Sequence, residues 1–293
     1  MARFNTVPQA RFYLEQSGQD FDPVVEADRL YKEALASVQK SIPMDYKKQV
    51  LSRDLVSRFQ FAKSDAVIVV GQDGLVSNTA KYLPSQPIIG VNPLPDLYDG
   101  ILPPFRASEI KTIIQSLLNS RATIREVTLA EALTSDGQRL LAFNDFFIGA
   151  SSQISARYVL EQGNTSEVQS SSGIIVSTGA GSTGWLKSVY QGAHNVARAF
   201  GGGFLEQPAS YALPWDTDEL VFVVREPFPS KSTSAELGYG KFTVQNPLSI
   251  QSRMATEGVI FSDGLEEDYI AFNAGMKVTI QPAAQKARLV VRK

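Results

Sequence analysis

Residues 64–91 constrain this chain more than any other stretch. Ser64-Asp65 leads into Ala66-Val67-Ile68-Val69-Val70, an unbroken run of the kind a strand carries when both its faces are buried, ending at Gly71. Gly71-Gln72-Asp73-Gly74 then reads as a turn, Leu75 to Leu83 as a short helix stopped by Pro84, and Pro87-Ile88-Ile89-Gly90-Val91 as a second buried strand. Strand, glycine turn, helix, strand is a βαβ unit. It calls for a parallel pair covered by helices, and in such sheets ligands bind at the carboxyl ends of the strands.

The flanks differ in character. The first sixty residues read as helical: Val24–Ile42 spaces Val25, Leu30, Ala34, Leu35 and Val38 near a 3.6 period, and 46–61 alternates charge with Val50, Leu51, Leu55 and Phe59. Asn92 to Phe105 holds four prolines and no periodicity, which predicts a loop and a hinge; Ala107 to Asn119 predicts another helix. Beyond it come short runs rich in Val, Ile and Phe: Ala122–Leu129, Arg139–Ile148, Ile154–Leu160, Gly173–Ser177, Leu220–Val224, Phe242–Val244, Met276–Ile280 and Arg288–Val291. Ser170–Gly173 reads as a polar turn. The expected fold is an α/β N-terminal nucleotide-binding domain with a Rossmann-like parallel sheet (residues 1–104), followed by a larger antiparallel, sandwich-like all-β domain (105–293).

Composition narrows the chemistry. The chain has no cysteine and one histidine, His194, which excludes disulfides, thiol nucleophiles, iron–sulfur ligation and multi-histidine metal sites. Any metal must be held by oxygen, which favours Mg²⁺ or Ca²⁺. Lys and Arg number 28 against 30 Asp and Glu, so neither a nucleic-acid partner nor a membrane surface is expected. No apolar run approaches the roughly 20 residues that span a bilayer, and no signal peptide is apparent, so a cytoplasmic protein is expected.

Three constellations can carry chemistry. In Gly71-Gln72-Asp73-Gly74 the glycines admit phosphate to the backbone at a helix N-terminus, while Asp73 either serves Mg²⁺ or a hydroxyl proton, or caps the helix. Ser177-Thr178-Gly179-Ala180-Gly181-Ser182-Thr183-Gly184-Trp185 offers small hydroxyls and free amides to a phosphate or ribose, and an indole to a base; Ser182 reads alternatively as an N-cap. Asn144-Asp145 is a polar pair inside LLAFNDFFIG, where burial is costly unless the pair is bonded or meets a ligand; the alternative is a bulge or strand-edge pair.

Together these resemble the NAD kinase family. GQDG resembles its GGDG, Asn144-Asp145 its Asn-Glu pair, and STGAGSTGW its STPTGSTAY, with Ile88-Ile-Gly-Val-Asn92 and Phe261-Ser-Asp-Gly264 also in order. The resemblance runs from about Ser64 to the C-terminus; the helical N-terminal segment lies outside the family pattern. It implies transfer of a phosphoryl group from ATP or polyphosphate, with Mg²⁺ as cofactor, to the 2′-hydroxyl of NAD to give NADP, by a homo-oligomer (dimer or tetramer). On that pattern Asp73 is the catalytic base, Gly71 and Gly74 admit phosphate, and Asn144 and Asp145 hold ribose or nicotinamide groups. Thr178, Ser182, Thr183, Gly184 and Trp185 line the adenine and ribose, with Ser188 nearby.

The chain departs from the pattern at Gln72 for Gly, Asp145 for Glu, Gly179-Ala180 for Pro-Thr, and Trp185 for Tyr. Two other functions stay open: a kinase of the same superfamily acting on a lipid or sugar hydroxyl, and a non-catalytic nucleotide-binding module. Among lesser features, His194 reads as structural, Gly201-Gly202-Gly203 as a loop rather than a phosphate nest, and Asp263 as a hairpin-turn residue.

Overall fold

The computed structural model describes residues 6–201, 212–265 and 268–292. It opens with helices α1 (Val7–Gln16) and α2 (Asp22–Ser41). Thr6 caps α1 by accepting from the Gln9 amide, and Pro8 sits in the first turn, where a missing N–H costs nothing. Residues 46–61, expected to be helical, are irregular apart from a 3-10 turn at Arg53–Arg58. Val50 and Leu55 there are 60% and 47% exposed, so their periodicity found no surface to pack on, and tertiary packing rather than propensity decides such helices.

The βαβ unit forms as expected. Strands β1 (Val67–Val70) and β2 (Pro87–Val91) pair in parallel, Val67 opposite Ile88 and Val70 opposite Val91, with helix α3 (Asp73–Ala80) between them. Alternation along each strand sorts the side chains into two cores. Val69 and Ile88 pack with Val76 and Ala80 of α3, whereas Val70, Ile89 and Val91 pack with Ala34 and Val38 of α2 and with Ile110 and Ile114 of α4 (Ile110–Leu118). Helices on both faces are the reason these strands are apolar throughout.

The remaining strands are β3 (Thr123–Thr134), β4 (Arg139–Ala142), β5 (Asp145–Ala150), β6 (Ala156–Gln162), β7 (Thr165–Ser171), β8 (Ile174–Ser177), β9 (Leu220–Val224), β10 (Tyr239–Phe242), β11 (Leu248–Ser252), β12 (Gly258–Ser262), β13 (Ile270–Ala271) and β14 (Lys277–Val291). Helix α5 (Trp185–Ala199) follows β8. The first sheet runs β1-β2-β14-β11-β6-β7, with β3 and β4 on the other side of β14; the second runs β10-β9-β8-β5-β12-β13. Phe146, Ile148, Val176 and Phe222 of the second meet Tyr158, Leu160, Ile250 and Ile280 of the first in a sandwich core.

Three expectations need correction. The parallel pair is not a separate Rossmann-like sheet: the end of β14 adds to β2 in parallel, Leu289 opposite Ile88, while its beginning pairs antiparallel with β11, Ile280 opposite Leu248. One mixed sheet therefore crosses the 104/105 division, because two four- or five-residue strands gain a third partner from the far end of the chain. Second, Met276–Ile280 and Arg288–Val291 belong to one strand, β14, interrupted by an irregularity between Pro282 and Lys286, where proline cannot donate to the ladder. Third, Ser170 and Ser171 end a strand, β7, that reads as a loop because its buried positions are polar; the Tyr158 hydroxyl bonds Gln169 Oε1 (3.2 Å) and Ser171 Oγ (2.7 Å). Among the described residues no helix is long and apolar enough to cross a membrane.

Gly90 in the middle of β2 bears directly on the site. A Cβ there would lie 2.5 Å from Leu102 O and 2.6 Å from Pro103 Cα, so the 92–105 loop passes against bare backbone. Gly90→Ala is expected to lower stability by about 1–3 kcal/mol through overpacking, read from the urea midpoint. An unchanged midpoint would mean that the loop withdraws freely.

Candidate active site

The turn after β1 places Asp73 in the first turn of α3, with Gln72 at the N-cap. Asp73 does not cap its own helix. Its half-buried carboxylate reaches across to the 92–105 loop, where Oδ1 accepts from the Leu102 amide at 2.6 Å. A first-turn carboxylate is also favoured by the helix dipole. Gln72 is exposed and extended (φ −85°, ψ 171°), so the position taken by glycine in GGDG needs no left-handed backbone here. A Cβ at Gly74 would meet nothing within 4 Å, leaving that backbone open to approach; one at Gly71 would meet only the movable tip of Leu75, at 2.7 Å.

Asn144 and Asp145 stand where the β4 edge turns into β5, half-buried, and the backbone is clamped there from both sides. Asp263 is the first clamp. Its side chain is fully buried, Oδ2 accepts from Phe143 N (2.9 Å), and Oδ1 accepts from Asn144 N (2.6 Å) and Asp145 N (3.4 Å). Asp263 does sit in the turn expected of it, at φ 54°, but its carboxylate adds a second role that the turn motif does not announce. Burial raises its proton affinity, opposed by Lys81 and these three amides. The second clamp is Thr178, which donates to Phe143 O at 2.6 Å and takes up Asn144 O through its amide at 2.9 Å.

The serine-threonine-glycine loop thus divides by role. Thr178 and Ser182 are fully buried and bond the protein itself: Thr178 Oγ1 accepts from Gly181 N, and Ser182 Oγ donates to Gly179 O and accepts from Leu213 N. Thr183, Gly184 and Ser188 are exposed. Leu75 and Leu102, beside Asp73, share one apolar cluster with Phe143 and Ala180, so the three constellations converge on common packing.

Trp185 is turned elsewhere. Its ring lies near-parallel to Phe147 (5.9 Å, 15°), which stacks in turn on Phe261 (5.1 Å, 28°), and the Arg225 guanidinium sits 5.6 Å from the indole centre. These residues line a cleft of ≈ 1010 Å³ on the outer face of the second sheet, together with Tyr269 and Asn273; Asp73, Asn144 and Asp145 do not line it. No sequence motif marks Phe147, Arg225, Lys81 or Asp268, and Phe261 is marked only as the first residue of the Phe261–Gly264 stretch. His194 lies half-buried on α5, and of the Gly201–Gly203 stretch, residues 202 and 203 fall outside the described residues.

Burial, and then the charge of Asp263, push the Asp145 carboxyl up to about 7. A proton affinity raised by folding stabilises the fold fully below the unfolded value near 4, and that contribution is lost as pH rises through about 7. Asp145→Asn should therefore stay flatter than wild type in urea midpoint between pH 4 and 8 and should exceed it at pH 8. Parallel curves would place Asp145 in water.

No protein-family model matches the chain. Over 129 residues it is 30% identical to the NAD kinase of Chlorobium luteolum, covering 42% of this chain and 44% of that protein. Over 127 residues it is 28% identical to the NAD kinase of Chlorobaculum tepidum, with the same two coverages, so the match spans less than half the length of these curated relatives. Its fold is similar to that of yeast NADH kinase solved in complex with NADH, with a TM-score of 0.57 and 16% identity over 78% of this chain and 62% of that one. The chain is thus similar in sequence to NAD kinases over part of its length, and similar in fold to yeast NADH kinase over most of it.

Proposed function

We propose that this protein transfers a phosphoryl group from ATP or polyphosphate to the 2′-hydroxyl of NAD or NADH. The observation that carries the reading is the Asp73 carboxylate: Oδ1 is held by the Leu102 amide, at the carboxyl end of a buried parallel strand and beside an open glycine backbone. A carboxylate fixed through one oxygen can orient an acceptor hydroxyl with the other and take its proton as the phosphoryl group arrives. Phosphoryl transfer asks mainly for such positioning and for charge neutralisation.

Asn144 and Asp145, clamped by Asp263 and Thr178, would hold the acceptor's ribose or nicotinamide groups, and exposed Thr183 and Gly184 would face its sugar and phosphates. Among the described residues no group of three or more His, Asp or Glu side chains forms a metal cage. The Mg²⁺ in this reading travels with the donor, held chiefly by phosphate oxygens and water, and neutralises phosphate charge. The reading includes a dimer or tetramer in the cytoplasm.

Incubation with Mg-ATP or polyphosphate and a panel of NAD, NADH, a diacylglycerol and a sugar tests the proposal. NADP or NADPH should form; phosphate on the lipid or sugar alone, or on no acceptor, would overturn it. Asp73→Asn should lower kcat by roughly 10²–10⁴-fold with nucleotide affinity little changed. Full activity in that variant would reduce Asp73 to a loop tether.

Trp185 provides a separate check on where the base lies. With the indole in the Phe147 cleft and Trp215 packed under Arg125 at 4.2 Å, NAD bound at Asp73 should change tryptophan emission little. A large change that Trp185→Phe removes would bring the adenine to the indole, as the sequence resemblance implies.

A further inference from the structure

Lys81 follows α3 directly and is the most deeply buried cation described, its side chain only 2% exposed. Isolated burial of an ammonium is costly, so its surroundings must repay it. Nζ donates to Ser262 Oγ at 2.6 Å and to Asp268 Oδ2 at 3.0 Å, and lies 4.0 Å from Asp263 Oδ2. The Tyr82 hydroxyl donates to the same Asp268 oxygen at 2.6 Å. Asp263 in turn receives the amides of Phe143, Asn144 and Asp145, and its own amide donates to Asp145 O at 3.0 Å. The chain of contacts therefore runs from the helix that carries Asp73, through one cation and one carboxylate, to the backbone that carries Asn144 and Asp145.

We propose that Lys81 is a positioning residue of this site: through Asp263 it fixes Asn144 and Asp145 relative to the helix bearing Asp73. The inference rests on reading Asn144 and Asp145 as acceptor-binding residues. Geometry makes the link specific. Asp263 uses both oxygens on three successive amides, so any rotation of its carboxylate displaces the whole 143–145 segment, and Lys81 approaches Oδ2, which also holds Phe143. Ser262 beside it is fully buried and is itself engaged by Nζ, so the ammonium has little freedom to shift.

The same arrangement sets the electrostatics of Asp145. That residue pairs with neutral Ser177 on β8, and the charged groups on its other side are Asp263 and, beyond it, Lys81 and Asp268. Asp263 is the charge that raises the Asp145 carboxyl after burial itself, and Lys81 is the charge that lowers Asp263. A helix-borne cation thereby acts on a carboxyl in the other half of the molecule through one intermediate.

Three variants test this: Lys81→Met, Lys81→Arg and Asp263→Asn, each measured for urea midpoint, NAD dissociation constant, steady-state constants and the carboxyl carbon-13 titration of Asp145, assigned with Asp145→Asn. Lys81→Met should raise the KM and dissociation constant for NAD by about 10-fold and leave the donor KM within about twofold, a size typical of coupled neighbours. Lys81→Arg, which keeps the cation, should recover most of the NAD affinity. Asp263→Asn should move the Asp145 midpoint below its wild-type value near 7. Unchanged NAD affinity and an unmoved Asp145 midpoint, with only the urea midpoint lowered, would make the network a stability element and overturn the proposal. Should the wild type bind neither NAD nor NADH, the functional reading falls, and an unmoved Asp145 midpoint in Asp263→Asn then overturns the link as well. If Lys81→Met does not fold, Lys81→Arg and Asp263→Asn carry the test, and loss of NAD affinity in Lys81→Arg equal to that in Asp263→Asn would show that cation charge is not what matters.

Discussion

The antiparallel ribbon of β3 and β14 is the constraint on which the molecule depends. The two strands stay paired from Val278 opposite Thr134 to Val291 opposite Thr123, across the irregularity at Pro282–Lys286. On its other edge β14 is shared: its first residues extend the sandwich through β11, and its last extend the parallel pair through β2. A strand so divided registers two structures against each other. Side chains along it enter three cores in turn, Val278 and Ile280 in the sandwich, Ala283, Ala287 and Leu289 beneath α3, and Val290 beneath α2 and α4. The site is built at the junction the ribbon creates, between α3 on one side and the β4–β5 turn on the other.

What holds that junction is polar, and the balance of energies explains why. Several charged or hydroxyl-bearing groups meet there: Lys81, Asp263, Ser262 and Thr178, all buried, and the partly buried Asp268. Apolar residues of similar volume often stabilise as well as a buried ion pair, so the network is poor evidence for extra stability. Its directional contacts do what apolar packing does not: they pin the three consecutive amides and three carbonyls of residues 143–145 to one geometry. For a reaction that depends on placement, a rigid backbone at that turn is worth its desolvation cost.

The βαβ unit, the helix at 22–41 and most of the antiparallel strands, β11 and β12 excepted, were legible in the sequence because their burial is two-sided or periodic, and that pattern survives in the order of residues. The polar strand β7 was not, since its inward Gln169 and Ser171 are satisfied by Tyr158, a partner supplied by tertiary structure. Nor was the unity of β14, where Pro282 interrupts the apolar pattern without ending the strand. At the site, Asp73 and the glycine-rich loop were marked by spacing and resemblance. Lys81 was invisible: a lysine after a short helix ordinarily points to water, and only the fold brings Ser262, Asp263 and Asp268 to its ammonium.

The departures from the NAD kinase pattern fall at separate places in the fold. Gly179 stands where the family motif has proline, and a Cβ there would lie 1.9 Å from Pro214 O; at Gly181 it would lie 2.1 Å from Asn144 O. At Gly179 the loop has traded a rigid residue for close approach to Pro214, while Gly181, a glycine in the motif as well, packs against the same Asn144 that Asp263 and Thr178 clamp. Asp145, one methylene shorter than the family's glutamate, is carried on that immobilised segment, where a shorter side chain can be offset only by where the backbone is held. Gln72 needs no compensation, because its extended, exposed conformation leaves the turn open at Gly74. Of the altered residues, Asp145 alone lies on the clamped 143–145 segment, and on the proposed reading it bears on the acceptor side, while the open turn at Asp73 suits the positioning that phosphoryl transfer asks for.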